Sequence, residues 1–294
     1  MNKIVISCLK DYLNYKKNNN NIYRGVKDSK YIMAPSLFRN FIIDDNNIDD
    51  NNIDEIDVQE DCTRTKYHLE KLYKCIDLES EYLNKIRCYE PDFNCGYNLI
   101  SFCQHYGLNT RFLDFTTNMD VALYFACFDW DSDEINYEND GKIISVNREK
   151  IKYCFNDENS LVELEILFDL ICDPELCSEQ IGEYNITKSK DYVLYEPFIE
   201  DKRIKNQEGV LLCFPDFTNQ FRTLTLLDNL ICEEIIIKKE CKLELSKYLK
   251  DIGIDNKFIK VKDDLYMNNS LLEIITDYNK KFKDLKNAKD YRYE

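Results

Sequence analysis

Between Gln104 and Phe128 a short apolar run and a longer one are separated by polar residues, which predicts a strand followed directly by a helix. The segment RFLDF is short, apolar and aromatic, which is typical of a buried strand. The preceding helix, ISFCQHY, is predicted to end at Gly107, because glycine adopts a positive φ at little cost. One of the polar residues at 116–118 is expected to cap the next helix, NMDVALYFACF. Polar side chains and backbone N–H groups at such a junction commonly face a ligand.

Similar patterns along the rest of the chain predict an α+β domain. Five apolar or β-branched segments are expected to be strands of a small, twisted, mainly antiparallel core sheet: 22–26, 111–115, 142–147, 209–214 and 233–238. Apolar residues at helical spacing predict surrounding helices at 65–89, 161–171, 242–254 and 270–282. No internal repeat is visible in the sequence, so we expect a single domain.

Composition sets three polar segments apart from this domain. Residues 1–21 are predicted to be an N-terminal segment with an Asn-rich tail, residues 22–275 the single domain, and residues 276–294 a charged C-terminal tail, whose end at 283–294 is expected to fray. Residues 43–61 form a near-repeat of NNIDD and predict an exposed acidic insertion. A calcium site in this insertion is the alternative, but the glycine-bearing pattern of a calcium loop is absent from its sequence.

The charge of the chain narrows the range of partners. Its 294 residues include 39 Lys and Arg against 55 Asp and Glu, so the formal net charge is -16. This balance argues against sequence-independent binding to a nucleic-acid backbone, which needs clustered positive charge, although it leaves room for a local basic cleft. The apolar run near the start is too short to span a membrane and lacks a small-residue cleavage site. We therefore expect neither a membrane anchor nor a secretion signal.

The thirteen cysteines bear on location and on metal binding. Their number is odd and the chain is long, unlike a small secreted domain held by disulfides, so we expect reduced thiols and a cytoplasmic location. Zinc is not expected, because there is no C-x-x-C pair and the histidines are limited to His68 and His105. A metal-dependent hydrolase built on His105 and Asp114 is therefore the weakest functional hypothesis.

The predicted strand–helix junction is rich in polar side chains: His105, Arg111, Asp114 and Thr116. This group is denser than a structural core needs, although a plain buried strand and helix is the alternative. Arg24 lies in another apolar strand, where a guanidinium group requires a carboxylate or a phosphate as partner. A salt bridge with Asp114 would satisfy both residues and does not exclude a ligand role. We therefore predict that Arg24 and Asp114 lie in the same cleft.

Four segments together carry a family resemblance: YRG at 23–25, APSLFR at 34–39, QHYGLNTRFLDFTTNMDVALYFA at 104–126 and RIKNQEGVLL at 203–212. In order and spacing they resemble the FRG domain, a family named for its Phe-Arg-Gly motif. The resemblance covers most of residues 22–275. Three positions depart from the family's pattern: Tyr23 replaces Phe, Asn109 stands in place of Pro, and Phe115 stands in place of Trp.

A weaker similarity links the chain to ADP-ribosyltransferases. It rests on Arg-Gly in an early strand, Thr in a strand followed by an A-x-x-F-A helix, and Glu just before a late strand. The resemblance implies an ADP-ribosyltransferase-like fold with NAD as substrate and no metal. Arg24 would hold an NAD phosphate, and Thr116 and Thr117 would order the pocket around it. Glu208 would stabilise the oxocarbenium-like centre that forms as the glycosidic bond breaks.

The same resemblance assigns further residues to the site. His105 or Tyr124 would stack on the nicotinamide or hydrogen-bond to it. The remaining NAD-binding residues come from the matched motifs: Tyr23, Gly25, Thr110, Arg111, Asp114 and Gln207. Structural roles are the alternatives, with Thr116 as a helix cap, Glu208 as a surface residue and Tyr124 as a core residue.

These observations leave two main functional hypotheses. The first is an NAD-consuming ADP-ribosyltransferase-like enzyme, which transfers ADP-ribose to an acceptor macromolecule or hydrolyses NAD as an intracellular effector such as a toxin or an anti-phage defence protein. The second is a non-catalytic module that binds a nucleotide or a protein in the same cleft. In an enzyme, Arg24, Thr116 and Glu208 should converge on one open cleft. A Glu208 that points to solvent far from Arg24 would favour the module.

Overall fold

A computed structural model of the chain describes residues 2–16, 20–39, 43–44, 65–66, 69–89, 103–104, 107–151, 153–155, 192–196, 202–214, 230–261 and 269–287. The strands are β1 (Asn2–Ile6), β2 (Asn21–Val26), β3 (Ile43–Asp44), β4 (Thr65–Lys66), β5 (Phe112–Thr116), β6 (Gly141–Asn147), β7 (Tyr153–Phe155), β8 (Val193–Tyr195), β9 (Gly209–Cys213) and β10 (Ile231–Ile237). The α-helices are α1 (Leu9–Tyr15), α2 (Leu69–Tyr89), α3 (Met119–Cys127), α4 (Lys202–Gln207), α5 (Lys242–Asp251), α6 (Asn256–Ile259) and α7 (Asn269–Asn287). The predicted helix at 161–171, most of the acidic insertion and His105 lie outside the described residues.

Eight strands form one mixed sheet in the order β1–β10–β6–β2–β5–β9–β8–β7. Neighbouring strands are antiparallel except at the two edges, where β1 runs parallel to β10 and β7 runs parallel to β8. All five predicted strands are present, so the α+β class and the mainly antiparallel sheet are confirmed. The sheet is larger than predicted because β1, β7 and β8 extend it.

Two local predictions can be compared directly with the structure. The helix predicted from residue 65 begins at Leu69, because Thr65–Lys66 pairs with Ile43–Asp44 as a separate two-stranded ladder. Gly107 has a φ of 92°, and its N–H donates a 2.9 Å hydrogen bond to the main-chain oxygen of Gln104. The predicted left-handed turn at Gly107, before β5, is therefore confirmed.

Helices cover both faces of the sheet. Because successive strand residues point to opposite faces, Ile22 packs into one apolar cluster and Tyr23 into another. The first cluster also contains buried residues of α2 and α7, and the second contains buried residues of α1, α3 and α5. The central strand β2 is thus packed against helices on both of its faces.

Two glycines allow α3 to lie directly against the sheet. A Cβ atom at Gly25 would lie 1.8 Å from the main-chain oxygen of Ala122, and one at Gly141 would lie 2.2 Å from that of Ala126. Real Cβ atoms do not approach backbone oxygens so closely, so a larger residue would force the helix away. This contact fixes α3 against the strand that carries Arg24.

The segments that composition sets apart at both ends of the chain contribute to the domain. β1 pairs with β10, and Oη of Tyr12 in α1 donates a 2.7 Å hydrogen bond to Oδ1 of Asp120 at the start of α3. At the other end, Tyr278 and Phe282 of α7 are buried in the first apolar cluster. The boundary predicted at residue 275 falls inside this helix, because the apolar stripe that predicts the helix at 270–282 continues past residue 275 to Phe282.

Strands β2 and β5 diverge at the centre of the sheet. β2 pairs with β6 over Asn21–Val26, and β5 pairs with β9 over Phe112–Thr116. Between the described residues of β2 and β5, in contrast, the single registered pair is Tyr23 with Thr116. Polar side chains collect in the gap that opens beside this pair.

Candidate functional site

A cavity of about 420 Å³, here called the cleft, opens where β2 and β5 diverge. Its walls come from both strands, from α3 and α4, and from the loops around them, and its lining residues are Tyr23, Arg24, Gly25, Arg39, Gln104, Asp114, Phe115, Thr116, Val121, Phe125, Trp130, Arg203 and Gln207. Three of these described residues are arginines, against one aspartate. The cleft is therefore locally positive in a chain whose net charge is -16.

Arg24 is held at the point where the pairing of β2 and β5 stops. Its Nη1 donates a 2.5 Å hydrogen bond to the main-chain oxygen of Asp114 and lies 3.7 Å from Oδ2 of that residue. The predicted approach of Arg24 and Asp114 within one cleft is thus confirmed. Burial lowers the pKa of Arg24 from its ordinary value, with Arg39 adding to the effect and Asp114 opposing it. An anion that entered the cleft would stabilise this partly buried cation.

Asp114 is oriented by a second group of partners. Its Oδ1 accepts a 2.5 Å hydrogen bond from Nε2 of Gln104, whose Oε1 accepts a 2.7 Å hydrogen bond from Oγ1 of Thr110. The side chain of Asp114 is nevertheless 59% exposed. The carboxylate is therefore fixed by the protein and still open to the cleft.

One wall of the cleft carries a pair of aromatic rings. Phe125 and Trp130 stack with their ring centres 5.8 Å apart and their planes inclined by 25°. The guanidinium carbon of Arg203 lies 4.9 Å from the centre of a Trp130 ring, and Nζ of Lys260 lies 4.3 Å from it. These distances are typical of cation–π contacts. A flat aromatic surface beside positive charge is suited to a ligand that carries a planar base and a phosphate.

The junction of β5 and α3 has the capped structure that the sequence predicts. Asn118 is the cap, and its Oδ1 accepts a 2.9 Å hydrogen bond from the N–H of Asp120. Thr116 lines the cleft, where its Oγ1 donates a 2.6 Å hydrogen bond to the main-chain oxygen of Gln207. Nε2 of Gln207 in turn donates a 2.9 Å hydrogen bond to the main-chain oxygen of Ile259. Thr116 therefore ties β5 to the end of α4 at the cleft.

Glu208 lies at the side of the cleft, by the start of α3. Its carboxylate accepts a 3.2 Å hydrogen bond from Oγ1 of Thr117 and a 2.8 Å hydrogen bond from Nδ2 of Asn118. The backbone of Glu208 is in the left-handed region, with a φ of 45°. Neither Glu208 nor Thr117 is a lining residue, although the residue that precedes each of them is. The carboxylate is thus next to the cleft and bonded to the helix start.

The structure brings six of the predicted site residues into the lining of the cleft: Tyr23, Arg24, Gly25, Asp114, Thr116 and Gln207. Of the three residues expected to converge on one open cleft in an enzyme, Arg24 and Thr116 line the cleft and Glu208 borders its lining. Thr110 acts through Gln104, because its hydroxyl group fixes the amide that binds Asp114.

Arg111 and Tyr124, both predicted to contact NAD, are held by protein partners outside the lining. Arg111 forms a buried ion pair with Glu79 of α2, in which its Nε donates a 2.8 Å hydrogen bond to Oε2 and its main-chain N–H donates one of 2.9 Å to Oε1. The hydroxyl group of Tyr124 hydrogen-bonds to Oδ1 of Asn256, and burial raises the pKa of this tyrosine. A polar group in an apolar segment needs a partner, but the pattern does not reveal whether the partner is a ligand or the protein itself.

Seven lining residues were absent from the predicted site: Arg39, Gln104, Phe115, Val121, Phe125, Trp130 and Arg203. The spacing of residues along two helices could have indicated some of these lining residues. On α3, Val121 and Phe125 are four residues apart, and on α4 so are Arg203 and Gln207, so each pair shares one helix face. That these two faces meet at one cleft depends on long-range packing, which the spacing does not encode.

The described residues contain no group of three or more His, Cys, Asp or Glu side chains arranged to hold a metal ion. Eight cysteines whose side chains the structure describes are free thiols, and five of them are buried. None of the described helices combines the length and the apolar character needed to cross a bilayer.

Comparison with known families supports the resemblance noted in the sequence. The family model of the FRG domain matches residues 19–134, a range that includes the motifs at 23–25, 34–39 and 104–126. The FRG resemblance is therefore confirmed over this range. No curated protein and no solved structure matches the chain.

Proposed function

We propose that this FRG-domain chain is an NAD-consuming, ADP-ribosyltransferase-like enzyme whose substrate binds in the cleft. The observation that carries the proposal is the presence of three arginines and a stacked aromatic pair in one cleft. The arginines are Arg24, Arg39 and Arg203, and the rings are those of Phe125 and Trp130. NAD combines a diphosphate with two planar bases, so its charge and its rings match these two features.

Arg24 is proposed to hold a phosphate group of NAD. Its planar guanidinium group can donate parallel hydrogen bonds to phosphate oxygens, and Asp114 already fixes its orientation. Arg39 would supply a second positive charge for the diphosphate, since it lines the same cleft and its field acts on Arg24. These contacts would be made in the ground state and in the transition state alike, so they would contribute mainly to binding.

Glu208 is proposed as the catalytic carboxylate. Breaking the bond between nicotinamide and ribose develops positive charge on the sugar, which a nearby carboxylate stabilises. Glu208 directly follows the lining residue Gln207, and its carboxylate is held by Thr117 and Asn118 at the edge of the cleft. A rotation of its side chain away from these two partners would direct the carboxylate at the ligand. ADP-ribose would then pass to an acceptor macromolecule or to water.

A non-catalytic binding module is the second candidate function. It is favoured by the position of Glu208, whose carboxylate is engaged by the start of α3 and does not line the cleft. The arginines and the aromatic rings suit binding without any catalytic group. In this case the cleft would bind a nucleotide, or an acidic segment of a protein, and leave it intact.

An NAD-consuming activity suits an intracellular effector, such as a toxin or an anti-phage defence protein, and this role forms part of the proposal. Depletion of NAD, or modification of an essential acceptor, would arrest the cell in which the protein acts. Expression of the wild-type chain would then lower the NAD content of the host cell, whereas expression of Glu208→Gln would not.

The direct experiment incubates the purified protein with NAD and measures free nicotinamide by liquid chromatography. Release by the wild type, together with its loss in Glu208→Gln, would support the enzyme. Binding of NAD by calorimetry, without release over hours and with candidate acceptors supplied, would support the module. Absence of both binding and release would remove NAD as the ligand.

A further inference from the structure

We infer that Asp114 recognises the hydroxyl groups of the ligand's ribose, and that the cleft therefore selects a ribonucleotide over its deoxy counterpart. This inference rests on the proposed binding of NAD in the cleft. It gives Asp114 a role in specificity that is separate from its contact with Arg24.

The distribution of charge in the cleft is the first argument. Among the described lining residues, Asp114 is the one carboxylate, and it faces a cavity that also contains three arginines. A phosphate group placed against Asp114 would be repelled, whereas one placed against the arginines would be attracted. The part of the ligand that lies at Asp114 must therefore be neutral or a hydrogen-bond donor, and the sugar hydroxyls of a nucleotide are such donors.

The geometry of the carboxylate is the second argument. Oδ1 accepts the hydrogen bond from Gln104, and Oδ2 lies 3.7 Å from Nη1 of Arg24, which is longer than a hydrogen bond. An ionised carboxylate offers about four lone-pair positions on its two oxygens. With 59% of the side chain exposed, acceptor positions remain open to the cleft. The carboxylate of Asp114 is thus held in place and still has acceptor positions for further hydrogen bonds.

The chemistry of ribose fits this arrangement. The vicinal 2′- and 3′-hydroxyls can donate to the two oxygens of one carboxylate, and acidic side chains commonly bind the ribose of NAD in this way. The chain of hydrogen bonds from Thr110 through Gln104 to Asp114 orients the acceptor before the ligand arrives. A ligand without one of these hydroxyls would leave the carboxylate desolvated and incompletely bonded.

The test titrates the wild type and Asp114→Asn with NAD and with two 2′-deoxy analogues by calorimetry. One analogue lacks the hydroxyl of the adenosine ribose, and the other lacks that of the nicotinamide ribose. The substitution keeps the shape of the side chain and the main-chain oxygen that Arg24 uses. Asp251→Asn, at an exposed aspartate of α5 outside the lining, is the matched control.

We expect one of the two analogues to bind the wild type about tenfold or more weakly than NAD, the scale of a lost hydrogen bond to a charged group. In Asp114→Asn this penalty should fall to about threefold or less, and in Asp251→Asn it should stay at the wild-type value. Equal binding of NAD and both analogues to the wild type would overturn the inference without any variant. An unchanged penalty in a folded Asp114→Asn would also overturn it. If the wild type binds neither NAD nor either analogue, the proposed function fails, and the inference fails with it.

Discussion

Nη1 of Arg24 donates a 2.5 Å hydrogen bond to the main-chain oxygen of Asp114, across the gap that separates β2 from β5. The two strands share one registered pair, Tyr23 with Thr116, so this side chain supplies a link between them where backbone pairing has stopped. Arg24 therefore has a structural contact and, in the proposed function, a ligand contact. Variants at this position must separate the two roles.

Replacing Arg24 by alanine should weaken NAD binding about tenfold to a hundredfold, because it removes a charge-assisted hydrogen bond to phosphate. Turnover at saturating NAD should change much less, since the contact is made in both the ground and the transition state. Arg24→Lys keeps the charge but loses the planar fork, so its affinity should lie between those of the wild type and Arg24→Ala. Calorimetry with NAD measures these affinities.

The control for this series is Arg87→Ala, which removes an exposed arginine of α2. Its NAD affinity should equal that of the wild type. Thermal unfolding of each variant would report the structural loss separately. A folded Arg24→Ala protein that binds NAD as tightly as the wild type would exclude Arg24 as a phosphate ligand.

Gly25 should tolerate no side chain. A Cβ atom there would lie 1.8 Å from the main-chain oxygen of Ala122, so Gly25→Ala must displace α3 from the sheet. We expect the free energy of unfolding to fall by about 2 kcal/mol or more, the scale of overpacking a core. At Gly209 the nearest atom would be 3.5 Å away, so Gly209→Ala should change stability by less than about 1 kcal/mol. Equal urea midpoints for the two variants would contradict the close packing of α3.

Some of this architecture could be predicted from the sequence, because it depends on local patterns. The five core strands follow from apolar and β-branched runs, and the turn at Gly107 follows from the conformational freedom of glycine. The approach of Arg24 and Asp114 was predictable for a different reason. Each is a charged residue in an apolar strand, and each therefore needs a partner.

Other features depend on contacts between distant parts of the chain. Strands β7 and β8 have three residues each, which is too short for a periodic pattern to identify them. The meeting of Trp130 with Arg203 joins residues far apart in sequence, and no local pattern indicates that they contact each other. Arg111 was predicted to contact NAD from its place in the matched motifs. Its actual partner, Glu79, lies in α2 between the exposed residues Asp77 and Glu81, so local sequence does not mark it as buried.

Breaking the buried ion pair of Arg111 with Glu79 should strongly destabilise the fold. Both side chains are buried, with exposures of 4% and 0%, so removing one charge leaves the other without compensation. We expect Glu79→Ala to lower the free energy of unfolding by about 3–5 kcal/mol. Glu81→Ala, on the same helix, removes a carboxylate that is 54% exposed and should cost less than about 1 kcal/mol.

Urea unfolding of both glutamate variants tests this prediction. The double variant Arg111→Met with Glu79→Leu should recover much of the stability lost in Glu79→Ala, because it replaces the pair with apolar groups of similar size. A Glu79→Ala protein as stable as Glu81→Ala would contradict the cost expected for leaving the Arg111 charge buried without its partner.

Glu208→Gln separates the two candidate functions. The substitution keeps the shape of the side chain and removes its negative charge. The single oxygen of glutamine can keep the hydrogen bond from Asn118, and its Nε2 can donate to the hydroxyl group of Thr117 instead of accepting from it. If Glu208 stabilises the developing charge on ribose, nicotinamide release should fall about a hundredfold or more, the scale of losing one positioned electrostatic contact. NAD affinity should stay within about twofold, since the charge acts mainly in the transition state.

Glu149→Gln, at an exposed glutamate after β6, is the control for the loss of one negative charge, and it should release nicotinamide at the wild-type rate. Thr117→Ala adds a second comparison. This substitution removes a hydrogen bond that holds the Glu208 carboxylate beside α3. If the carboxylate must rotate into the cleft for catalysis, the substitution frees it to do so, and turnover should not fall. Equal rates of nicotinamide release in the wild type and a folded Glu208→Gln protein would exclude Glu208 as the catalytic carboxylate. If neither protein released nicotinamide, the NAD affinity would belong to a binding module. If both released it equally, the catalytic group would be another residue, and Asp114 is the carboxylate among the described lining residues of the cleft.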